Sequence, residues 1–208
     1  MSTTTTTPST TDPYIWLEDV ESEESLNFAR QSNEACLTKL GNPEKSDTGT
    51  YDRVLKVLES DDRIPSASCY GHDDDGEPIL VNFWKDSKNP KGILRKTTMK
   101  SYEEKNPQWT TILNVDELAE KDGISWVYKG GSPLSRAKDP TDGKKVTRTL
   151  ISLSRGGSDA VHVKEFDWIK NDFVGPDEDG FVLPEAKSRA SYKSRDVLTV
   201  GTDLDPTP

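Results

Sequence analysis

The side chains best able to do chemistry gather at Gly156-Gly157-Ser158-Asp159-Ala160, with His162 two residues further on. The pentapeptide is a near match to the G-x-S-x-G elbow that presents a serine nucleophile, with Ala160 in the last place. Such an elbow needs a strand before it and a helix after it, so that the hydroxyl is held on a strained turn. Ser158 is followed instead by Val161, Val163 and Phe166, a period-two pattern that predicts a strand. Gly156 and Gly157 then read as the positive-φ residues of a hairpin turn, and Ser158 as part of that turn. His162 alternates with Val161 and Val163 and is expected to face solvent. His72 sits in an acidic turn with Asp73, Asp74 and Asp75, and no nucleophile lies nearby for it to activate. That turn lacks the spaced ligands and distal Glu of a calcium loop, so it reads as solvated. Trp84, Trp109 and Trp126 could form a ligand platform, but each falls in a strand-like pattern and is expected to pack between sheets.

Cys36 and Cys69 are the only cysteines, one in a helical pattern and one in a strand-like one. They read as two reduced thiols, and with His72 and His162 they show no zinc-ligand spacing. On these grounds no residue is assigned as catalytic, cofactor-binding or metal-ligating, and no cofactor is implied.

The elements that would position these residues are short. The chain has 208 residues, enough for one domain or one domain and a fragment. Hydrophobic and charged residues each make up 31%, against roughly 45–50% apolar and about 25% charged in an average domain. Five Trp, six Tyr and five Phe still argue for a folded, loop-rich β protein. A net charge of -10 argues against nucleic acid as a partner. No apolar stretch approaches the roughly 20 residues of a membrane span. Met1 to Pro8 has neither a basic nor an apolar signal region, so residues 1–11 read as a disordered tail and the protein as cytoplasmic.

Along the chain, Tyr14, Ile15, Trp16 and Leu17 form an apolar cluster with no evident burial partner. A helix is expected from about Ser22, capped by that serine and stopped by Gly41-Asn42-Pro43, and a second from Tyr51 to Ser60. After Pro65 the period changes. Ala67–Cys69 and Pro78–Trp84 should form a hairpin around Gly71–Gly76. Further strands are expected at Ile93–Thr98, Gln108–Leu113, Ile124–Tyr128, Val146–Ser152, Ala160–Phe166 and Asp196–Val200. Val115–Lys121 reads as a short helix closed by Gly123, and Lys129 to Gly143 as a long polar loop. Strands of this length suggest a sandwich, barrel or propeller, and the pattern alone leaves the three open.

Several words occur in a particular order. They are Asp12-Pro13-Tyr14 with Trp16-Leu17-Glu18-Asp19, Arg63-Ile64-Pro65, Asn82-Phe83-Trp84, and Asn89-Pro90 with Gly92. Trp109, Asp116, Leu118 and Trp126 follow, then Leu153-Ser154-Arg155-Gly156-Gly157 with Asp159-Ala160, and Glu165-Phe166-Asp167. Gly180-Phe181 with Leu183-Pro184-Glu185-Ala186-Lys187, and Gly201-Thr202-Asp203, complete the series. Together they resemble the amino-terminal part of the prolyl oligopeptidase family of serine peptidases, over roughly Asp12 to Leu204.

The resemblance implies a mainly β chain with an N-terminal helical arm: an incomplete β-propeller of about two of seven blades, with the C-terminal α/β-hydrolase domain absent. Residues 12–64 would be the arm, packed on that hydrolase domain, and residues 65–208 the first blades. The implied activity is cleavage of short peptides after proline by a Ser-Asp-His triad. The family keeps that triad in the missing domain, so this chain is expected to be inactive alone. The family's T-D-F-G runs on into further blades, whereas Thr202-Asp203-Leu204 departs from it, which reads as a truncated product. Peptide substrates would be partners only of a full-length enzyme. The alternative is a non-catalytic binding module, whose open blade edges would pair with a partner strand or aggregate.

Overall fold

The computed structural model describes residues 12–45, 48–60, 62, 65–138 and 142–204. The tail at 1–11, residues 46–47 and 61, Arg63-Ile64, the stretch 139–141 and the last residues 205–208 lie outside the described residues. Contacts group the chain into two compact units, Met1–Glu59 and Ser60–Pro208.

The first unit is helical. A 3-10 turn at Ile15–Glu18 leads to α1, Glu23–Leu40. The Ser22 hydroxyl accepts from the Ser25 amide at 3.2 Å, and Glu23 and Glu24 complement the positive end of the helix dipole. Gly41 ends the helix at φ 88°, its N–H donating to the Leu37 carbonyl. The Trp16 ring meets Phe28 of α1 edge-on at 5.6 Å, so part of the Tyr14–Leu17 cluster does find a partner within its own unit. Tyr14 and Ile15 remain exposed. Helix α2, Thr50–Leu58, buries no residue, and its apolar face of Tyr51, Val54, Leu55 and Leu58 is exposed.

The second unit is built of antiparallel meanders. Strands β1 (Ser68–His72), β2 (Pro78–Trp84), β3 (Ile93–Thr98) and β4 (Thr110–Asn114) form one sheet in chain order, with α3 (Met99–Tyr102) between β3 and β4. After α4 (Val115–Asp122), strands β5 (Trp126–Pro133), β6 (Arg148–Arg155), β7 (Val161–Asp167) and β8 (Asp172–Phe173) form the second sheet, and β9 (Val182–Ala186) also pairs with β7. Strands β10 (Arg189–Tyr192) and β11 (Leu198–Gly201) make a hairpin whose first strand contacts β5. The fold is mainly β, and the described strands close no barrel: it is an incomplete propeller.

Two cores hold the sheets face to face. Tyr70, Ile79, Val81, Leu94, Ile151, Leu153, Phe166 and Trp126 fill the space between the first sheet and the second. Leu134, Leu150, Val161, Val163 and Tyr192 fill the space between the second sheet and the β10–β11 hairpin. Strand β6 is therefore buried on both sides: Leu150 faces one core, while Ile151 and Leu153 face the other.

Two expectations are corrected, and one strand is added. The hairpin turn is narrower than Gly71–Gly76, because β1 runs on through Gly71 and His72. The register shifts at Tyr70, and Gly71 takes φ 142° where a side chain would strike the Lys144 carbonyl. Lys129 to Gly143 is not one polar loop, since β5 continues to Pro133 and is followed by a buried 3-10 turn, Leu134–Arg136. A bulge at Lys129 breaks the alternation there, and Gly131 packs closely, since a Cβ would lie 3.0 Å from the Tyr70 hydroxyl and from Thr149. The added strand is β9, which contains Pro184. The proline is tolerated at a register shift between Val161 and Val163.

Two tyrosines make the β unit alkali-sensitive. Burial pushes the Tyr128 phenol far above its ordinary range, helped by the Tyr70 hydroxyl. Burial, then the hydrogen bond and charge of Glu165, does the same to Tyr192. A phenol whose folded-state pKa is raised stabilises the fold fully below its unfolded pKa of about 10, and that contribution is lost as pH rises beyond it. Thermal melts followed by near-ultraviolet circular dichroism should show a midpoint insensitive to these phenols below about pH 9 and falling above about pH 10. Tyr192→Phe should flatten the alkaline fall. Urea unfolding should show Leu153→Ala losing about 2–5 kcal/mol, as for other buried leucines. Ile169→Ala, at an 82% exposed position, should stay within about 0.5 kcal/mol.

Candidate functional site

Ser158 lies in the exposed β6–β7 turn, after Gly156 at φ 60° and Gly157 at φ 91°. Its amide donates to the Arg155 carbonyl and its hydroxyl to the Ala160 carbonyl at 3.2 Å. A strand follows it, so the chain here builds a hairpin turn and not a nucleophile elbow. The hydroxyl is a donor within its own turn, with no imidazole bonded to it.

His162 corrects the expectation of a solvent-facing residue. Its side chain is only 17% exposed, and its ring meets Trp126 edge-on at 5.3 Å. Its Nε2 is 3.6 Å from a Glu185 carboxylate oxygen and makes no hydrogen bond. The Arg155 Nε engages the same Glu185 oxygen at 3.2 Å. Strand β9 thus carries a carboxylate to two side chains that the linear sequence separates from it by more than twenty residues. His72 is likewise not in the acidic turn. It ends β1, where its N–H donates to the Lys144 carbonyl and its carbonyl accepts from Val146. Asp74 pairs with Lys145 at 2.8 Å, which holds that carboxyl below its ordinary range. Cys36 and Cys69 are both exposed and unbridged.

The tryptophans divide. Trp126 is buried in the first core, as expected, with its Nε1 donating to Asp122 at 2.8 Å. Trp84 and Trp109 are half-buried outside it. They flank the Arg95 guanidinium, whose carbon lies 4.3 Å from the Trp84 ring centroid and 4.5 Å from that of Trp109. The Arg95 Nε also donates to the Asn82 Oδ1 at 2.9 Å, and the Asn82 Nδ2 donates to the Ser66 carbonyl at 2.6 Å. Beside this group a cavity of about 440 Å³ opens between β2, Tyr70 and Tyr128.

Sequence reasoning missed a second polar group altogether. Glu165 and Asp167 of β7 are buried, and both take Arg148 of β6, at 3.7 and 3.2 Å. The Glu165 Oε1 accepts from the Tyr192 hydroxyl at 2.6 Å, and its other oxygen accepts from the Phe181 amide. The Trp168 Nε1 donates to the Thr149 hydroxyl at 2.7 Å. Charged residues alternating with Phe166 look like a solvated strand face. Only the arrival of Arg148 and Tyr192 turns that face into an interior.

Among the described residues, no three His, Cys, Asp or Glu side chains are placed to hold a metal ion, and no helix is long and apolar enough to cross a membrane. The comparisons agree on a family. The family model for the prolyl oligopeptidase N-terminal β-propeller domain matches residues 3–185. The chain is 35% identical over 195 residues to an uncharacterized peptidase of Sinorhizobium fredii, covering 94% of this chain and 24% of that protein. It is 31% identical over 159 residues to an uncharacterized peptidase of Rickettsia prowazekii, covering 76% of this chain and 20% of that protein. A post-proline cleaving enzyme from Rickettsia typhi is similar in structure, with a TM-score of 0.68 and 25% identity over 92% of this chain and 26% of that one. This chain thus spans about a quarter of the length of such relatives. With stacked antiparallel meanders, a matching family model and peptidase relatives all in agreement, the chain belongs to the prolyl oligopeptidase family, and its residues 3–185 match that family's N-terminal β-propeller domain.

Proposed function

We propose that this chain is the propeller-side portion of a serine endopeptidase that cleaves short peptides after proline, and that it does not hydrolyse peptides by itself. The observation that carries the reading is the family match over residues 3–185, joined to the likeness with a post-proline cleaving enzyme. The inactivity rests on Ser158, whose hydroxyl donates to the Ala160 carbonyl in an exposed turn and meets no base. In this reading residues 12–64 are an arm that docks on a catalytic domain. The exposed apolar face of α2 supports it, because such a face is stable in water only when covered. The unbridged Cys36 and Cys69 are in keeping with a reducing, cytoplasmic setting.

A second reading, a non-catalytic binding module, draws support from β11, which pairs only with β10 among the described strands and exposes Val200. A fluorogenic Gly-Pro amide assay on the purified chain separates activity from its absence. No release above buffer is expected, and Ser158→Ala should change nothing. Turnover that disappears in Ser158→Ala would overturn the proposal.

A further inference from the structure

Strand β9 is held on β7 across a bulge, and His162 sits at it. Val161 pairs with Ala186 and Val163 with Leu183, so the single residue His162 lies opposite two, Pro184 and Glu185. Pro184 has no amide to give to the ladder, so β9 has one main-chain donor fewer at this point. The Glu185 carboxylate reaches back across the bulge. Its Oε2 is 3.2 Å from the Arg155 Nε of β6 and 3.6 Å from the His162 Nε2.

The contact to His162 is open in a way that a proton would close. The Nε2 atom is buried and has no hydrogen-bond partner among the described residues. At 3.6 Å the carboxylate oxygen stands beyond hydrogen-bond range. A neutral imidazole with its proton on Nδ1 offers Nε2 only as a lone pair, which a carboxylate oxygen repels. With both nitrogens protonated, Nε2–H is a charged donor beside that oxygen, and such bonds close to about 2.7–2.9 Å. A carboxylate has lone pairs enough to accept from Arg155 at the same time.

The surroundings set the balance. Trp126 meets the His162 ring edge-on at 5.3 Å and shields it, so a charge pair here is screened less than one on the open surface. Glu185 of β9 favours a positive imidazole. Arg155 of β6 opposes it, as does Lys164 of β7, whose Nζ lies 5.5 Å from the Trp126 ring centroid. Lys129 of β5 is turned to the Gly157 carbonyl at 3.1 Å, and Asp122 of α4 is taken by the Trp126 Nε1.

We propose that His162 and Glu185 form a pH-dependent latch, in which a proton on the imidazole ties β9 to β7 at the bulge. Arg155 then completes a bridge over β6, β7 and β9. Imidazole is the side chain whose charge changes between about pH 5 and 8. A bond made only with the proton bound holds the strand at the acid end of that range and is lost as pH rises. The latch concerns the attachment of β9 and does not depend on cleavage after proline. The chain has only one other histidine, His72 of β1, so the response can be assigned to one ring.

The test is amide hydrogen exchange of the 208-residue chain, read by nuclear magnetic resonance at about pH 8 and about pH 5.5. Protection factors of the β9 amides are compared with those of β3 in the same sample, which removes intrinsic rates and any global change in stability. The β9-to-β3 ratio should rise about threefold or more at the lower pH, as for a partly exposed charge pair. His162→Gln, which cannot titrate, and Glu185→Met, which cannot accept, should each abolish the rise. His72→Gln should leave it intact. The proposal is overturned if the ratio does not rise, if the rise survives His162→Gln or Glu185→Met, or if it disappears in His72→Gln.

Discussion

Everything in the β unit depends on one constraint: its sheets are too small to bury their own faces and must stack on one another. Strand β6 shows it most clearly. Leu150 closes one core while Ile151 and Leu153 close the other, all at 1% exposure or less. Burying such a side chain is worth about 1.5–3 kcal/mol, so an unstacked second sheet would lose that contribution from both faces. The same geometry explains a low apolar content. Each meander needs only a narrow band of apolar residues where it meets its neighbour, and the turns and strand ends can stay polar.

Stacking alone would let the sheets slide, and polar contacts between them, some buried, fix their position. Between the first two sheets, the Ser135 hydroxyl bonds the Tyr70 carbonyl, and Arg136 donates to the Cys69 carbonyl at 2.9 Å. His72 is held on both its amide and its carbonyl by the 144–146 segment. Between the second sheet and the β10–β11 hairpin, Glu165 joins Tyr192 to Arg148. Removing one partner of such a buried set leaves the other desolvated and unpaired, which is costly and therefore specifies one register. These contacts make the unit a frame that holds its sheets in position.

Much of this is legible in the amino-acid sequence. Ser22, Gly41 and Gly123 mark helix ends by local chemistry, and strand β3 runs over the expected Ile93–Thr98. The Gly156-Gly157 turn was readable because positive φ at two successive positions favours glycine. What escaped was whatever depends on a neighbour far away in sequence. Gly130 and Gly131 looked like a loop because bulged strands break alternation. Strand β9 was not among the expected strands, and its Pro184 is tolerated because a missing amide matters only where a partner strand would need it.

The candidate residues divide along the same line. Local sequence determined that Ser158 sits in a hairpin turn, since the pattern after it is a strand's and not a helix's. It also carried the family, through short words spread along nearly the whole chain. Tertiary structure alone decided that His162 is shielded by Trp126, that Trp84 and Trp109 flank Arg95 outside the core, and that Glu165 lies inside. The physical reason is the two-residue period of a strand. It separates the faces of a strand but does not say which face another sheet will cover.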